Sequence, residues 1–347
     1  MFQTSQNSTV IPAIPTDGQP RPFWSVMIPA YNPDRNYLEQ TMRSVLDQEP
    51  GVAEMQIEVL DDCSPNVDVA ALVKEIAGDR VSVYRNPVNK GLAGCWNTCL
   101  ERSRGEWVHL LHQDDLVLPG FYQRLREGIM VNPKIGAAFC RHAFISSDGR
   151  QTLVSRLEHP QAGVFGNIIE RLAQNCCVQC ASIVVKRSVY EQLGGYSYSL
   201  KLALDWEMWL RIAGKFPVWY EPVVLACYRL HAGSESGRLA QTGQDLVETR
   251  LMLEQAAKNL EARQGRKILA EAKTSYALNA VSNAERFLYR SSSGSERNLK
   301  AGWNQITGAI RMRPSFPVIL AVGGVLLRVF RAGVHRVFGS RPSVAKR

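Results

Sequence analysis

The sequence predicts an α/β fold in which helices cover both faces of an open, mostly parallel β-sheet, followed by a C-terminal helical region. Short apolar runs alternate with amphipathic helical segments through the first 130 residues, which is typical of parallel sheets with helical crossovers. This alternation stops after Ile135, and the chain becomes helical and polar from residue 241 to about residue 310. With 347 residues, 45% hydrophobic and 21% charged, the chain can bury a full core and is not disordered.

The first part of the chain supplies the regular alternation of strands and helices. In the first predicted helix, Leu38, Met42 and Val45 fall on one face, as expected for a helix that packs on a sheet. The fourth predicted helix begins at Pro119, a residue that the first turn of a helix tolerates. The predicted strands are residues 25–29, 56–60, 81–84 and 107–111, and the predicted helices are residues 35–48, 69–76, 91–102 and 119–130.

The second part of the chain has a less regular order. Asp148 and Gly149 form a turn signal between two short strands, and Gly194 ends a short helix. The predicted strands are residues 137–142, 151–154, 182–185, 218–220 and 223–228, and the predicted helices are residues 188–193 and 205–213. We expect four regions: a flexible N-terminal arm over 1–22, an α/β domain over 23–235, a helical region over 236–313 and a basic amphipathic segment over 314–347.

The net charge of +9 is concentrated at the C-terminal end. From Arg297 onward the sequence holds ten Lys or Arg residues and no Asp or Glu. The rest of the chain is nearly neutral, with 31 basic and 32 acidic residues. A neutral body argues against nucleic-acid binding, whereas a basic and apolar tail is typical of segments that bind an anionic membrane surface.

The C-terminal segment is predicted to form one helix from Ser315 and Pro317 to about Phe338. We expect this helix to lie in a membrane interface, and packing against the rest of the protein is the alternative. The longest uncharged stretch there has 14 residues, fewer than the roughly 20 that span a membrane, and the N-terminus lacks a secretory signal. The expected location is therefore cytoplasmic, peripheral at the inner face of the cell membrane. The predicted basic stripe of the helix is Arg328, Arg331 and His335, and its predicted apolar face is Leu326, Phe330, Val334 and Val337.

The turn after the first predicted strand is a candidate binding element. The strand ends at Pro29 and Ala30, and Tyr31 and Asn32 lie in the turn. A nucleotide base can stack on such a turn while backbone groups hydrogen-bond to its edge. A strand that ends at proline is also typical of an ordinary turn.

Two pairs of adjacent carboxylates each follow a predicted strand. Asp61 and Asp62 form the first pair, and Asp114 and Asp115 form the second. Adjacent carboxylates repel each other unless a ligand or cation uses them, and the second pair suits a hard divalent cation. Helix capping by Asp62 or Ser64 is the alternative for the first pair, and a solvated acidic turn is the alternative for the second.

A glycine-containing helix start lies between these two pairs. Asn89, Gly91 and Gly94 lie at the beginning of the predicted helix over residues 91–102, where free backbone N–H groups favour an anion. The spacing does not match G-x-G-x-x-G, which argues against a dinucleotide-dependent oxidoreductase.

The order of these elements resembles the family 2 glycosyltransferases, which have the GT-A fold. The family pattern is a strand ending in P-x-Y-N, a D-D-x-S loop, an N-x-G-x-x-x-x-x-N helix start and a D-x-D-D loop. Here these places are occupied by Pro29–Asn32, Asp61–Ser64, Asn89–Asn97 and His112–Asp115, and the resemblance covers roughly residues 23–235. One departure is His112, which stands where many members have the first aspartate of the last motif.

The resemblance implies which residues bind the donor and a divalent metal ion, Mg²⁺ or Mn²⁺. Asp115 is the expected main metal ligand, and Asp114 supports it or binds the ribose. The residues implied to bind the nucleotide sugar are Pro29, Ala30, Tyr31, Asn32, Asp61, Asp62, Ser64, Asn89, Gly91, Leu92, Asn97, Asp114 and Arg229. The residues implied to bind the metal are Asp115, Asp114 and His231.

Two later segments extend the resemblance. The segment LALDWEMWLRI is similar to the acceptor-side helix of the family, and Asp205 takes the position of its catalytic base. Trp206 and Trp209 on that helix would form an apolar platform for a sugar or lipid, or else pack in the core. The segment CYRLHAGSES is similar to the family's Y-R-x-H segment, which implies that Arg229 approaches the diphosphate and that His231 joins the metal.

The implied activity is transfer of a sugar, with inversion, from a nucleoside-diphosphate sugar to a hydroxyl acceptor. A UDP-sugar is the expected donor, and a sugar or lipid-linked molecule is the expected acceptor, in the synthesis of a surface polysaccharide or glycolipid. A sugar nucleotidyltransferase is one alternative, but PAYNPDRN lacks the glycine-rich basic signature of that class. An inactive sugar- or lipid-binding scaffold is the other, and the paired carboxylates together with Asp205 argue against it.

Overall fold

The computed structural model describes residues 9–14, 18, 20–201, 203–230, 244–257, 262–289 and 298–338. The chain divides into two compact units. The first comprises residues 1–172 and 176–231, and the second comprises residues 173–175 and 232–347.

The first unit is built on a ten-stranded sheet. Its first strand is buried along its whole length, as expected for a strand with parallel neighbours on both sides. The strands are β1 (Trp24–Ala30), β2 (Met55–Asp61), β3 (Ser82–Arg85), β4 (Trp107–Leu110), β5 (Leu116–Val117), β6 (Ala137–Ser146), β7 (Gln151–Val154), β8 (Gly163–Val164), β9 (Ile183–Lys186) and β10 (Val218–Leu230).

The helices of this part of the chain have clear local causes. Asp34 caps α1, because its carboxylate accepts the backbone N–H groups of Asn36 and Tyr37, and Asp68 caps α2 in a similar way. The helices are α1 (Arg35–Leu46), α2 (Val69–Ala77), α3 (Gly91–Arg102), α4 (Phe121–Met130), α5 (Ile168–Gln174), α6 (Arg187–Leu193) and α7 (Leu204–Ala213).

The strand order in the sheet is β3-β2-β1-β4-β9-β6-β10-β5. The first four strands in this order are parallel, so their carboxyl ends meet at one edge of the sheet. Strand β9 runs antiparallel to both of its neighbours, and β6 and β10 are again parallel to each other. The loops that carry the four sequence motifs follow β1, β2, β3 and β4 at this common edge, where ligand sites of such sheets lie.

The predicted fold class is confirmed. The parallel pairs lie in the β3-β2-β1-β4 part and between β6 and β10, while β5, β7, β8 and β9 pair in antiparallel fashion. The two strands predicted at 218–220 and 223–228 form one strand, β10. Its register shifts between Glu221 and Val224, around Pro222, which explains the gap in the sequence pattern.

Part of the predicted flexible arm packs on the first unit. Ile11 is fully buried, and the backbone N–H of Gly195 donates to the carbonyl oxygen of Thr9 at 2.7 Å. The buried Arg187 donates to the carbonyl oxygen of Pro12 at 3.0 Å. A flexible arm is therefore the wrong description of residues 9–12.

The second unit is helical. Its apolar core includes Ala277, Ala284, Ile306 and Ala309, which lie on two of its helices. The helices are α8 (Gln244–Ala257), α9 (Ala262–Tyr289), α10 (Leu299–Met312) and α11 (Phe316–Phe338).

The last helix, α11, contributes one face to this core. Its buried residues are Val318, Val322 and Val325, whereas Leu326 and Phe330 of the predicted apolar face are exposed. None of the helices in the described ranges combines the length and hydropathy that a membrane crossing requires.

Candidate active site

Two loops at the carboxyl edge of the sheet are held together by hydrogen bonds that backbone N–H groups donate. The N–H of Asn32 donates to Ser64 Oγ at 2.8 Å, and the N–H of Asp62 donates to the carbonyl oxygen of Ala30 at 2.8 Å. Among the described residues, Asn32 and Cys63 alone combine a positive φ with a side chain other than glycine's, at 43° and 62°. Such backbone strain is concentrated at binding sites in proteins, and here both instances fall in these two loops.

Tyr31 directly follows β1 in the first loop. Its side chain is 47% exposed, so its ring is accessible to a base. Its backbone N–H donates to Oε1 of Gln113 at 2.9 Å, which joins this loop to the carboxylate loop after β4. Pro29 and Ala30 are buried in β1, so they position the loop that follows and offer no exposed group to a ligand.

Both carboxylates of the first pair have protein groups as their hydrogen-bond or ion-pair partners. Asp61 accepts the backbone N–H of Ser64 at 2.9 Å and forms an ion pair with Arg85. Asp62 accepts the backbone N–H groups of Lys90 and Gly91, at 3.0 and 2.9 Å, and the Asn86 amide at 2.7 Å.

The anion at the start of α3 is therefore the carboxylate of Asp62 and not a bound ligand. The prediction that the N–H groups of this helix start are free for a ligand anion is wrong for Lys90 and Gly91, because a buried carboxylate already accepts both. Helix capping by Asp62, an alternative expected from the sequence, is the observed role: its carboxylate accepts the N–H groups at the start of α3. Gly91 has φ of 70°, a conformation that favours glycine, and Leu92 beside it is exposed.

Two asparagines of the third motif form hydrogen bonds with backbone groups. Asn89 donates to the carbonyl oxygen of Asp62 at 3.2 Å and accepts the N–H of Gly91 at 3.0 Å. Asn97 is buried inside α3, where its amide donates to the carbonyl oxygen of Tyr196 and accepts the N–H of the same residue, at 3.0 and 2.7 Å. A Cβ at Gly195 would lie 2.2 Å from Asn97 Oδ1, so this contact requires glycine. The predicted nucleotide contact of Asn97 is therefore corrected to a structural role.

The second carboxylate pair forms a cluster with His112. One ligand-type atom from each of His112, Asp114 and Asp115 lies within 4.8 Å of the other two. Asp115 is fully buried, and its Oδ2 has no hydrogen-bond partner among the described residues. His112 Nδ1 lies 3.7 Å from that oxygen, and His112 Nε2 is also buried without a partner.

Burial sets the electrostatics of this cluster. It raises the pKa of Asp115 well above its ordinary value, and the neighbouring charge of Asp114 raises it further. Burial likewise lowers the pKa of His112, so its imidazole is favoured in the neutral form that binds metals. A buried carboxylate oxygen without a partner is costly, and a cation would satisfy it. The residues present therefore fit a divalent metal ion.

The side chain of Arg229 contacts this cluster from inside the protein and is not exposed to a ligand. Its side chain is buried, and its guanidinium donates to the carbonyl oxygen of Asp114 and to Gln40 Oε1, each at 2.8 Å. The guanidinium also lies over the ring of Tyr37, 4.4 Å from its centroid. The prediction that Arg229 approaches the diphosphate is corrected: its side chain is buried and positions the loop that carries Asp114 and Asp115.

Asp205 lies partly buried at the start of α7. Burial raises the pKa of Asp205 to about 6, although the N–H of Trp206, which donates to Oδ1 at 2.7 Å, opposes the shift. The thiol of Cys180 lies 3.9 Å from Oδ2 of Asp205. Burial, and after it the charges of Asp205 and Asp115, raise the pKa of Cys180 well above its ordinary value.

The predicted acceptor platform and the third predicted metal ligand have different outcomes. Trp206 and Trp209 are buried, and the indole N–H of Trp206 donates to the carbonyl oxygen of Leu172, so these rings are core residues and not a platform. His231 lies outside the described residues.

Sequence reasoning missed three residues of this site. His112 departs from the family pattern, and its i, i+3 spacing to Asp115 places both residues in one tight turn. The amide of Gln113 pairs with Tyr31, and Gln40 supports Arg229. No sequence signal identifies Gln40 or Gln113, because their partners lie 189 and 82 residues away.

Comparisons with known proteins identify the class. The model of glycosyl transferase family 2 matches residues 25–194. The chain is 30% identical over 246 residues to an uncharacterized protein of Mycobacterium tuberculosis, MT1568, covering 67% of this chain and 75% of that protein. It is 29% identical over 215 residues to the putative teichuronic acid biosynthesis glycosyltransferase TuaG of Bacillus subtilis, covering 60% of this chain and 80% of TuaG. The chain belongs to glycosyl transferase family 2, and it is a glycosyltransferase.

Two solved structures share the fold. TarS 1–349 of S. aureus in complex with UDP-GlcNAc has a TM-score of 0.61 at 16% identity, covering 83% of this chain and 82% of that chain. The mannosyltransferase PcManGT of Pyrobaculum calidifontis, in complex with GDP-Man and Mn²⁺, has a TM-score of 0.55 at 18% identity, covering 92% of this chain and 88% of that chain.

Proposed function

We propose that this glycosyltransferase is metal-dependent and transfers a sugar, with inversion, from a nucleoside-diphosphate sugar to a hydroxyl acceptor. One observation carries the proposal: His112, Asp114 and Asp115 place one ligand-type atom each within 4.8 Å of the others, and Oδ2 of the buried Asp115 has no hydrogen-bond partner among the described residues. A metal-dependent transfer needs such a site together with a base, for which Asp205 is the candidate.

The donor is expected to lie along the loops after β1, β2 and β4. The exposed ring of Tyr31 offers a stacking surface for the base, and Ser64, whose N–H Asp61 accepts, in turn accepts the backbone N–H of the adjacent Asn32. The solved complexes of TarS with UDP-GlcNAc and PcManGT with GDP-Man support a nucleotide sugar as the donor. A UDP-sugar is our first candidate.

Asp115 and Asp114 would hold the metal ion, Mn²⁺ or Mg²⁺. When bound there, a divalent cation offsets the negative charge that develops on the departing diphosphate. Arg229 keeps the loop in place through its contacts with Asp114 and Asp115. The complex of PcManGT with Mn²⁺ supports a metal in this fold.

Asp205 is proposed as the general base. Its carboxylate removes the proton of the acceptor hydroxyl as that oxygen forms a bond to the anomeric carbon. The bond from the anomeric carbon to the diphosphate oxygen breaks on the opposite face, and the nucleoside diphosphate leaves with the bonding electrons. A base with a pKa of about 6 is mostly ionised at neutral pH and still binds a proton effectively.

The acceptor is proposed to be a sugar or a lipid-linked sugar, in the synthesis of a surface polysaccharide or glycolipid. The name of TuaG, a putative teichuronic acid biosynthesis glycosyltransferase, supports a polysaccharide product. A lipid-linked acceptor would require access to a membrane, for which α11 provides a surface.

This surface differs from the face that the sequence predicted. Five side chains of α11 are apolar and more than half exposed, and most of them follow a three- and four-residue spacing along one face. The segment from Arg297 onward has no acidic residue, so the surface suits an anionic bilayer at the cytoplasmic face of the membrane. The exposed apolar residues are Phe316, Ile319, Leu320, Leu327 and Phe330.

The membrane proposal is tested by sedimentation of the full chain with phosphatidylcholine vesicles, with and without phosphatidylglycerol. We expect binding to the anionic vesicles alone, and loss of that binding in Leu320→Gln/Leu327→Gln. The control is Leu299→Gln/Ile310→Gln, which changes two exposed apolar residues of α10. Equal sedimentation of both double variants would reject the proposal. Deletion of residues 314–347 is a poorer test, because it removes Val318, Val322 and Val325 from a core.

The reaction is tested by measuring nucleoside diphosphate release with Mn²⁺ from UDP-glucose, UDP-galactose, UDP-GlcNAc and GDP-mannose, with alkyl glycosides and lipid-linked sugars as acceptors. We expect release with one donor, and a loss of about 100-fold or more in Asp205→Asn with nucleotide binding retained. Asp79→Asn, at a highly exposed position, is the control. Normal turnover of Asp205→Asn would reject the base assignment, and a product that keeps the donor's anomeric configuration would reject inversion.

A further inference from the structure

The imidazole of His112 is held in a fixed orientation beside the buried carboxylate of Asp115. Its ring stacks on Trp96, with centroids 4.9 Å apart and an angle of 28° between the planes. Stacking leaves the ring edge, where both nitrogens lie, to face other groups. Nδ1 faces Oδ2 of Asp115 at 3.7 Å, and Nε2 is buried without a partner in the described part of the chain.

Among the described residues, no protein group satisfies Oδ2 of Asp115 or Nε2 of His112. Buried imidazole and carboxylate atoms normally have hydrogen-bond partners, and 3.7 Å is too long for a hydrogen bond. Two ligands of one ion, each about 2.1 Å from it, lie about 3–3.5 Å apart, so a small side-chain movement closes this pair around a cation. Asp114 adds a third ligand atom within 4.8 Å of the other two.

We propose that His112 is a direct ligand of the metal ion and makes the site select Mn²⁺ over Mg²⁺. This inference rests on the proposed metal-dependent function and goes beyond it by naming a ligand and a metal preference. Mg²⁺ is bound by oxygen ligands and retains several waters, whereas imidazole nitrogen is a better ligand for transition metals. An aspartate at position 112 would give an all-carboxylate cluster, in which the preference for Mn²⁺ is smaller.

The first test measures Mn²⁺ binding to the full chain in the presence of UDP. Free Mn²⁺ is followed by its electron paramagnetic resonance signal, with Mg²⁺ as competitor. We expect His112→Asp to lower the ratio of Mn²⁺ to Mg²⁺ affinity by roughly tenfold. His159→Asp makes the same change at an exposed site and should leave the ratio unchanged. Circular dichroism verifies that each variant is folded.

The second test needs no variant at position 112. Spin-echo modulation spectra of bound Mn²⁺ report ¹⁴N nuclei that are directly coordinated. Because His231 is a second predicted ligand, the spectrum is recorded for the wild type and for His231→Asn. We expect ¹⁴N coupling to persist in His231→Asn.

The inference is overturned if His112→Asp leaves the affinity ratio unchanged, or if Mn²⁺ bound to His231→Asn shows no ¹⁴N coupling. If sugar transfer is normal, either result would reject the role of His112 as a ligand and leave the proposed function intact. A folded wild-type chain that binds no Mn²⁺ with any nucleotide would remove both.

Discussion

The backbone N–H of Arg229 donates a hydrogen bond to Oδ1 of Asp115 at 2.9 Å, across a separation of 114 residues. This contact occupies one carboxylate oxygen and leaves Oδ2 next to His112. The guanidinium of the same arginine holds the carbonyl oxygen of Asp114. Strand β10 therefore orients the loop after β4, and the proposed metal site depends on a residue that does not bind the metal.

Replacement of Arg229 by methionine should weaken both the fold and the metal site. Buried hydrogen bonds to a charged guanidinium are lost, and the expected decrease in the free energy of unfolding is about 2–4 kcal/mol. Urea denaturation measures this change, and Mn²⁺ titration should show lower affinity in the folded variant. Arg150→Met is the control, because the Arg150 side chain is 86% exposed. Unchanged Mn²⁺ affinity in Arg229→Met would contradict the positioning role.

The pH dependence of turnover should report Asp205. Only the ionised carboxylate accepts a proton, so kcat/KM should rise with pH, bend near pH 6 and level off above it. A profile measured with the best donor from pH 5 to 8.5 would test this. A bend that stays in place in Asp205→Asn, measured on its residual activity, would assign the titration to another group.

The same pKa shift makes a prediction about stability. Asp205 binds its proton more tightly in the folded state than the ordinary pKa of 3.8 implies, so its ionisation destabilises the fold as pH rises from about 4 to 6. Asp205→Asn removes this cost and should raise the free energy of unfolding by up to about 3 kcal/mol at pH 8. The gain should nearly vanish at pH 4. Equal stability of the variant and the wild type at pH 8 would argue against a raised pKa.

Asp62 offers a test that separates structure from ligand binding. Asp62→Ala removes the carboxylate that accepts the N–H groups of Lys90 and Gly91, and should lower the free energy of unfolding by about 1–2 kcal/mol. Asp79→Ala, at an exposed site, should have a small effect. Loss of nucleotide binding with unchanged stability would show instead that Asp62 contacts the donor.

Strand and helix positions were predictable because local patterns determine them. The predicted helix over 91–102 and the predicted strand over 151–154 coincide with α3 and β7, and most other predicted elements differ from the observed ones by one or two residues at their ends. The position of the carboxylate loop was predictable too, because parallel strands place their carboxyl ends at one edge.

The partners of individual polar side chains were not predictable in the same way. Asp62 caps a helix that begins 29 residues later, and Asn97 is bound to a backbone segment 99 residues away. Arg229 matched a motif, but its burial follows from the packing of β10 and α1, which no local pattern encodes. The same long-range packing gives His112 its place beside Asp115.

The most direct test of the account is thermal unfolding of the wild type and Asp115→Asn with UDP, with and without Mn²⁺. A ligand that binds the folded state raises the melting temperature by mass action. We predict that UDP raises the melting temperature of the wild type much more with Mn²⁺ present, and that this metal-dependent increment is lost in Asp115→Asn. Equal increments in both proteins would contradict a metal site built on Asp115.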